Sequence, residues 1–377
     1  MSLKEIFCQD KAVEILQRAF AANKVPHAYI FAGLDGIGKF KTACEWGKLL
    51  LCKNPVIKKD FADSCGKCDS CQSFDAASHP DFNHVYKELK EFTKEGSTKE
   101  KNKEKERKTP LALPIDVVRE FLIAKASNKP TLSERKIFVI SEGEKLQDAA
   151  QNCLLKTLEE PPLYCFIILL CSRLDKLLPT IKSRCQIIRF SPIEENIIVE
   201  KLKEIGLKQE PARYFTRLSG GSIGQALQWA KLELSGVAIY ETKRNLVTSL
   251  ANYKYGDALE LEEDFLSEAK KVAEVWEEID ENTSKSDLHR RATKTILQII
   301  VSALSDTMKL PVTGDKIVNS DQKEDIKKLA QRFDPPETAK KIEDCYKAIQ
   351  YLEANVNEKL IFDQLLCNLA ISDKIKV

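Results

Sequence analysis

The chain lacks three things that would have directed its reading. No apolar run among its 377 residues approaches the length of a membrane span. The opening MSLKEIFCQDKAVEIL has neither a long apolar core nor a cleavage-site pattern, so it does not read as a secretory signal. The charge is nearly balanced, 59 basic against 57 acidic residues for a net +2, which excludes a strong overall attraction to DNA or to a membrane surface. Contact with nucleic acid would have to come from a local patch or be shared with other subunits. The expectation is a cytosolic protein with no membrane association. There its 12 cysteines would stay reduced and need a core, metal or redox explanation. Hydrophobic residues at 43% and charged residues at 31% suit a well-cored globular chain, and its length suggests two or three domains.

What is present centres on HAYIFAGLDGIGKFK, residues 27–41. His27 to Ala32 reads as a short apolar strand, and Gly33 to Lys39 fits the first seven positions of a phosphate loop, G-x-x-x-x-G-K. Gly33, Gly36 and Gly38 permit the tight turn and a close backbone approach to an anion. Lys39 would direct its ammonium at the phosphates, or bond carbonyls of its own loop. The eighth position should carry a hydroxyl for Mg²⁺; it is Phe40, which offers a hard cation nothing.

Cys65, Cys68 and Cys71 form two overlapping C-x-x-C units, and Cys52 lies upstream. Four thiolates close a tetrahedral zinc site, with Gly66 suited to the tight knuckle. His79 is the alternative to Cys52, although His79-Pro80-Asp81 reads better as the start of a strand. Residues 87–108 carry nine basic and six acidic side chains and read as a solvated loop, with contact to DNA or a partner as the sharper reading.

Lys136 to Ile140 is the most β-like stretch and should be a central strand. In a phosphate-loop NTPase such a strand ends in a metal-binding Asp and often a Glu. Here Ser141 holds the Asp position and Glu142 the Glu position, the latter reading better as a structural carboxylate. A helix over 147–160 is stopped by Pro161-Pro162. An apolar strand follows over 165–171, then helix over 174–181, Ser183-Arg184-Cys185, and a strand over 186–190. Cys153, Cys165 and Cys171 lie on apolar faces and read as core. Strands alternating with helices imply a parallel α/β sheet covered on both faces. After Pro192 the strand signal ends and short helices follow, with a loop and helix cap at 219–222; from about Leu234 to Val377 the period is helical throughout, with no internal repeat and no catalytic constellation there.

Taken in order, HAYIFAG-xx-GIGK (27–39), the four-cysteine module (52–71), SHPDF (78–82), LLKTLEEPP (154–162), IKSRC (181–185) and LSGGS (218–222) resemble the clamp-loader subunits of bacterial DNA polymerase III over about residues 1–232. The resemblance implies an AAA+ domain with zinc module over 1–191, a small helical lid over 192–233 and a helical collar over 234–377. Against the family's ATP-hydrolysing pattern, Phe40 stands for Thr, Ser141 for Asp, Ser172 for Thr or Asn, and Gly224 for the second-sensor Arg. These departures imply the non-motor, delta-prime-like branch. ATP or Mg²⁺ in the loop is then doubtful and zinc is the expected structural ion. Partners would be gamma/tau motor and delta subunits, the sliding clamp and, through the assembly, primer-template DNA. Arg184 resembles the arginine finger that reaches ATP on a neighbouring subunit; from spacing alone, a local ion pair is its other reading. Two rival readings remain: a gamma/tau-like motor with an atypical site, and an autonomous zinc-ribbon DNA-binding protein, which would need a concentrated basic face.

Overall fold

The computed structural model describes residues 2–94, 111–252, 258–279, 283–314, 316–354 and 356–370. The chain divides into two compact units, Met1–Ile193 and Glu194–Val377.

Among the described residues of the first unit there are seven strands, β1 (Ala28–Ala32), β2 (Val56–Lys58), β3 (Phe61–Asp63), β4 (Phe82–Val85), β5 (Lys136–Ile140), β6 (Cys165–Cys171) and β7 (Gln186–Arg189). Five form one parallel sheet in the order β4-β5-β6-β1-β7; β2 and β3 make a separate antiparallel hairpin. Every residue of β1, β5 and β6 is buried, which is why these strands are apolar without alternation. Successive side chains feed two cores. Tyr29 and Phe31 join Leu16, Trp46, Val139 and Ile168 on one face. Ile30 joins Val117, Phe138, Ile140, Leu154 and Leu169 on the other. Because β1 lies between β6 and β7, the strand order reverses beside it, and the carboxyl end of β1 opens onto the crevice where α/β sheets bind ligands.

The SHPDF stretch pins the cysteine module to this sheet. Asp81 is wholly buried and its carboxylate accepts the N–H groups of Thr131 at 2.7 Å, Leu132 at 2.8 Å and Ser133 at 2.9 Å. His79 accepts the Asp81 N–H on Nδ1 at 3.1 Å, and its Nε2 lies 2.9 Å from the Ser70 hydroxyl. Ser70 in turn donates to the carbonyl of Leu51 at 2.7 Å, at the end of the helix Lys39–Leu51.

Two local expectations are corrected. The helix expected over 174–181 is two short pieces, a 3-10 turn at Leu174–Lys176 and a turn of α-helix at Pro179–Lys182. Leu177 and Leu178 between them are extended, since the residue before a proline avoids the helical region. The charged run does not begin as a loop: Lys87–Phe92 is a 3-10 helix, while residues 95–108 of that run lie outside the described residues.

The second unit is helical: Glu195–Glu204, Gln209–Leu218, Ile223–Leu232, Ile239–Asn252, Ala258–Ile279, Lys285–Thr313, Lys323–Arg332, Pro335–Glu353 and Glu358–Ala370. The stretch expected as collar lies in it, as does the stretch expected as lid from Glu194 onward. The Lys243 ammonium is fully buried, 2.6 Å from Asp321 and over the rings of Tyr214 and Tyr240, so it ties the helix Gln209–Leu218 to Ile239–Asn252. No helix among the described residues is long and apolar enough to cross a membrane.

The Asp81 clamp generates a stability prediction. An amide cannot accept three N–H groups with two carboxylate oxygens, so Asp81→Asn leaves a buried donor unmet. It should destabilise the first unit by about 1–3 kcal/mol, read as a lowered urea midpoint. An unchanged midpoint would remove Asp81 from the account of how this module is held.

Candidate functional site

The four cysteines converge from three elements. Cys52 ends the helix Lys39–Leu51, Cys65 stands before the glycine turn, Cys68 caps the helix Asp69–Asp75, and Cys71 lies within that helix. Gly66 has φ 68, a left-handed conformation that only glycine adopts cheaply. The four Sγ atoms lie within 4.8 Å of one another, with 4.0 Å from Cys52 to Cys68 and from Cys65 to Cys71. Tetrahedral zinc at about 2.3 Å from each sulfur places sulfurs about 3.8 Å apart, so the donor set fits the ion. Backbone N–H groups point at the sulfurs: Cys65 N to Cys52 Sγ at 3.3 Å, and Cys68 N to Cys65 Sγ at 3.4 Å. The N–H of Lys67 lowers the Cys65 thiol. Burial pushes the Cys68 thiol up, but the N–H groups of Cys71 and Lys53 outweigh it and hold it at about 6. Of the two candidates for fourth ligand, Cys52 faces the cluster; both ring nitrogens of His79 are engaged elsewhere.

The phosphate loop is formed, but its parts are turned to other uses. Gly36 and Gly38 have φ 73 and 105. Gly33 is required for another reason: a Cβ there would fall 2.9 Å from both Cβ and the carbonyl oxygen of Phe190. The Lys39 ammonium is buried and donates to the carbonyls of Gly33 at 2.6 Å and Leu34 at 2.7 Å, with Asp35 at 3.4 Å. That is the self-bonded arrangement weighed from the sequence.

The corner where such a loop and the end of β5 supply oxygens to Mg²⁺ has different chemistry. The Phe40 ring packs on His84 with centroids 4.7 Å apart, and His84 packs on Tyr86 at 4.7 Å. His84 Nε2 is bonded to the Ser141 hydroxyl at 2.7 Å. Burial pushes the His84 imidazole down to about 4, so the ring is neutral at pH 7. Glu142, in a left-handed conformation, is held by Lys145 at 2.5 Å and faces Lys87 at 3.7 Å. Ser172 is bonded through its N–H (3.1 Å) and its hydroxyl to Glu144. His84, Tyr86 and Glu144 carry no periodicity or spacing signal of their own; only the pairing of β4 with β5 brings the first two to this corner.

Arg184 lies at the other edge of the sheet. It stands two residues before Gln186, which pairs with Tyr29 in the β1–β7 register, whereas the phosphate loop begins after Ala32. The strands are parallel, so about 10 Å of strand at 3.3 Å per residue separates the two edges. Arg184 Nη2 is 2.7 Å from Glu159 and Nη1 donates to the Thr180 carbonyl at 3.0 Å. The ion pair read from spacing is therefore present in the isolated chain. Gly224 falls in the first turn of Ile223–Leu232, whose cap is the Ser222 hydroxyl accepting from Gln225.

The cysteine geometry predicts about one zinc per purified chain. Cys65→Ser and Cys68→Ser should each reduce the metal content, and a strong chelator should lower the melting temperature. A metal-free chain of equal thermal stability would contradict the assignment.

Known proteins match the chain in the same two units. A family model described as DNA polymerase III, delta subunit, matches residues 8–194, and a second, described as its C-terminal part, matches residues 284–370. The DNA polymerase III subunit delta' of Escherichia coli (strain K12) is 33% identical over 215 residues, 57% of this chain and 57% of that protein. The corresponding subunit of Bacillus subtilis (strain 168) is 26% identical over 224 residues, 59% of each chain. The gamma/tau subunit of Mycoplasma genitalium is 30% identical over 210 residues, 56% of this chain and 31% of that one. The chain thus spans little more than half the length of the delta-prime relatives it matches. With models of one subunit matched to both of its units in turn, the chain belongs to the DNA polymerase III delta-subunit family and has delta-prime and gamma/tau subunits among its relatives.

Proposed function

We propose that this chain is a non-motor, delta-prime-like subunit of a clamp loader, and that it supplies Arg184 in trans to ATP bound by a neighbouring gamma/tau-type motor subunit. The observation that carries the reading is the position of Arg184 at the sheet edge opposite the phosphate loop. A guanidinium there has no phosphate of its own chain to serve. Its position on an outer edge and its 34% exposure support a role toward one held by another subunit.

The chemistry belongs to the neighbour. Water attacks the γ-phosphorus, the bond to the β–γ bridging oxygen breaks, and negative charge spreads over the phosphoryl oxygens. A guanidinium against those oxygens is worth ~10³–10⁵ in rate. This chain's own loop supports the same division of labour: Phe40, neutral His84 and Ser141 stand at the metal corner and none of them offers the cation a carboxylate. In this reading zinc would be held by Cys52, Cys65, Cys68 and Cys71 and would supply rigidity alone. Residues 192–233 act as lid, and 234–377 as the collar that joins delta and motor subunits. The assembly opens the sliding clamp and loads it on primed DNA. The 30% identity to a gamma/tau subunit favours a second reading, a working motor, and the aromatic metal corner opposes it.

Steady-state ATPase separates the two readings. The isolated chain should be inactive. In a reconstituted loader with clamp and primed DNA, Arg184→Ala should lower turnover by about ten-fold or more while the complex still assembles. Turnover by the isolated chain, or an unimpaired Arg184→Ala complex, would contradict the proposal.

A further inference from the structure

Glu159 ends the helix Asp148–Glu159 just before Pro161-Pro162, and its placement needs a reason. A carboxylate at a helix C-terminus faces the negative end of the dipole, so helix stability does not account for it. The side chain instead reaches Arg184, with Oε1 2.7 Å from Nη2. On the second nitrogen, Nη1 donates to the Thr180 carbonyl at 3.0 Å and lies 3.5 Å from the Ser183 hydroxyl. A guanidinium held at both terminal nitrogens has its plane and direction fixed. The backbone beneath is fixed as well, since the Arg184 N–H donates to Ile181 at 3.1 Å and the Ser183 hydroxyl donates to Thr180 at 3.0 Å. The pair is only half buried, at 34% and 49% exposure. Water screens such a pair, so it holds the side chain weakly enough for a phosphate to take over one of its bonds.

We infer that Glu159 is a positioning residue for Arg184: it orients the guanidinium before a neighbour's nucleotide arrives and steadies it as charge develops on the phosphoryl group. The inference rests on the in-trans reading of Arg184. Glu159 acts on the reaction through its bond to Arg184.

A double-mutant cycle on the reconstituted loader tests this, with ATPase measured against ATP concentration in the presence of clamp and primed DNA. Glu159→Ala should lower kcat by about ten-fold with little change in KM. Glu159→Asp and Glu159→Gln, which can each keep one hydrogen bond, should recover part of the loss. In the Arg184→Ala background, Glu159→Ala should cost nothing further. Equal losses in both backgrounds would mean that Glu159 only stabilises the fold and would overturn the inference. So would full activity of Glu159→Ala when Arg184→Ala is impaired; in that case the in-trans reading survives and the positioning role alone falls. Full activity of Arg184→Ala in an assembled complex would remove both.

Discussion

The parallel pairing of β1 between β6 and β7 is the constraint on which the rest of the first unit depends. It sends the chain out of β1 at the carboxyl edge of the sheet, straight into the glycine loop. It brings the chain into β7 from the amino edge, straight after Arg184. Loop and arginine are thus separated by the length of the strands, and no side-chain rotamer brings them together. Had the two strands been antiparallel, the same sequence motifs would have converged on one site. A parallel sheet divides them between two surfaces.

The same sheet explains how the loop came to be filled. β4 lies on β5, so His84 and Tyr86 arrive next to Ser141. The aromatic face so formed is what the Phe40 ring packs against. The ring rests on this face by one side and remains 43% exposed on the other. The residues at 40 and 141 therefore make sense as a set: with no hydroxyl at 40 and no carboxylate at 141, a ring contact and a hydroxyl–imidazole bond stand at this corner. The Lys39 ammonium, tied to two loop carbonyls, holds the turn.

Much of this is legible in the sequence. Wholly apolar runs such as Lys136–Ile140 and Cys165–Cys171 read as central strands because both faces of a parallel sheet are covered. The cysteine spacing disclosed the tetrahedral cluster, because a knuckle geometry fixes which sulfurs meet. The missing hydroxyl at 40 and the missing carboxylate at 141 are visible as residue types. What replaced them is not, because His84 acts through strand pairing rather than spacing. The role of Glu159 was hidden for a similar reason: LEEPP announces a helix end, but only the fold sets that end beside residue 184. The break at Pro179 was missed because apolar periodicity over 174–181 outweighed a local proline effect. The serine, histidine and aspartate around the cysteine module are a network of buried polar groups, whose partners no periodicity specifies.

The central claim is that the metal corner of the phosphate loop has been given over to packing. Magnesium-dependent nucleotide binding by the isolated chain tests it most directly, with a fluorescent ATP analogue titrated in the presence of Mg²⁺ and in its absence. The account predicts that Mg²⁺ adds nothing to whatever affinity is found, because Phe40, His84 and Ser141 offer no oxygen pair for the cation. Tight binding that requires Mg²⁺ would contradict it, and would return the chain to the motor subunits it resembles.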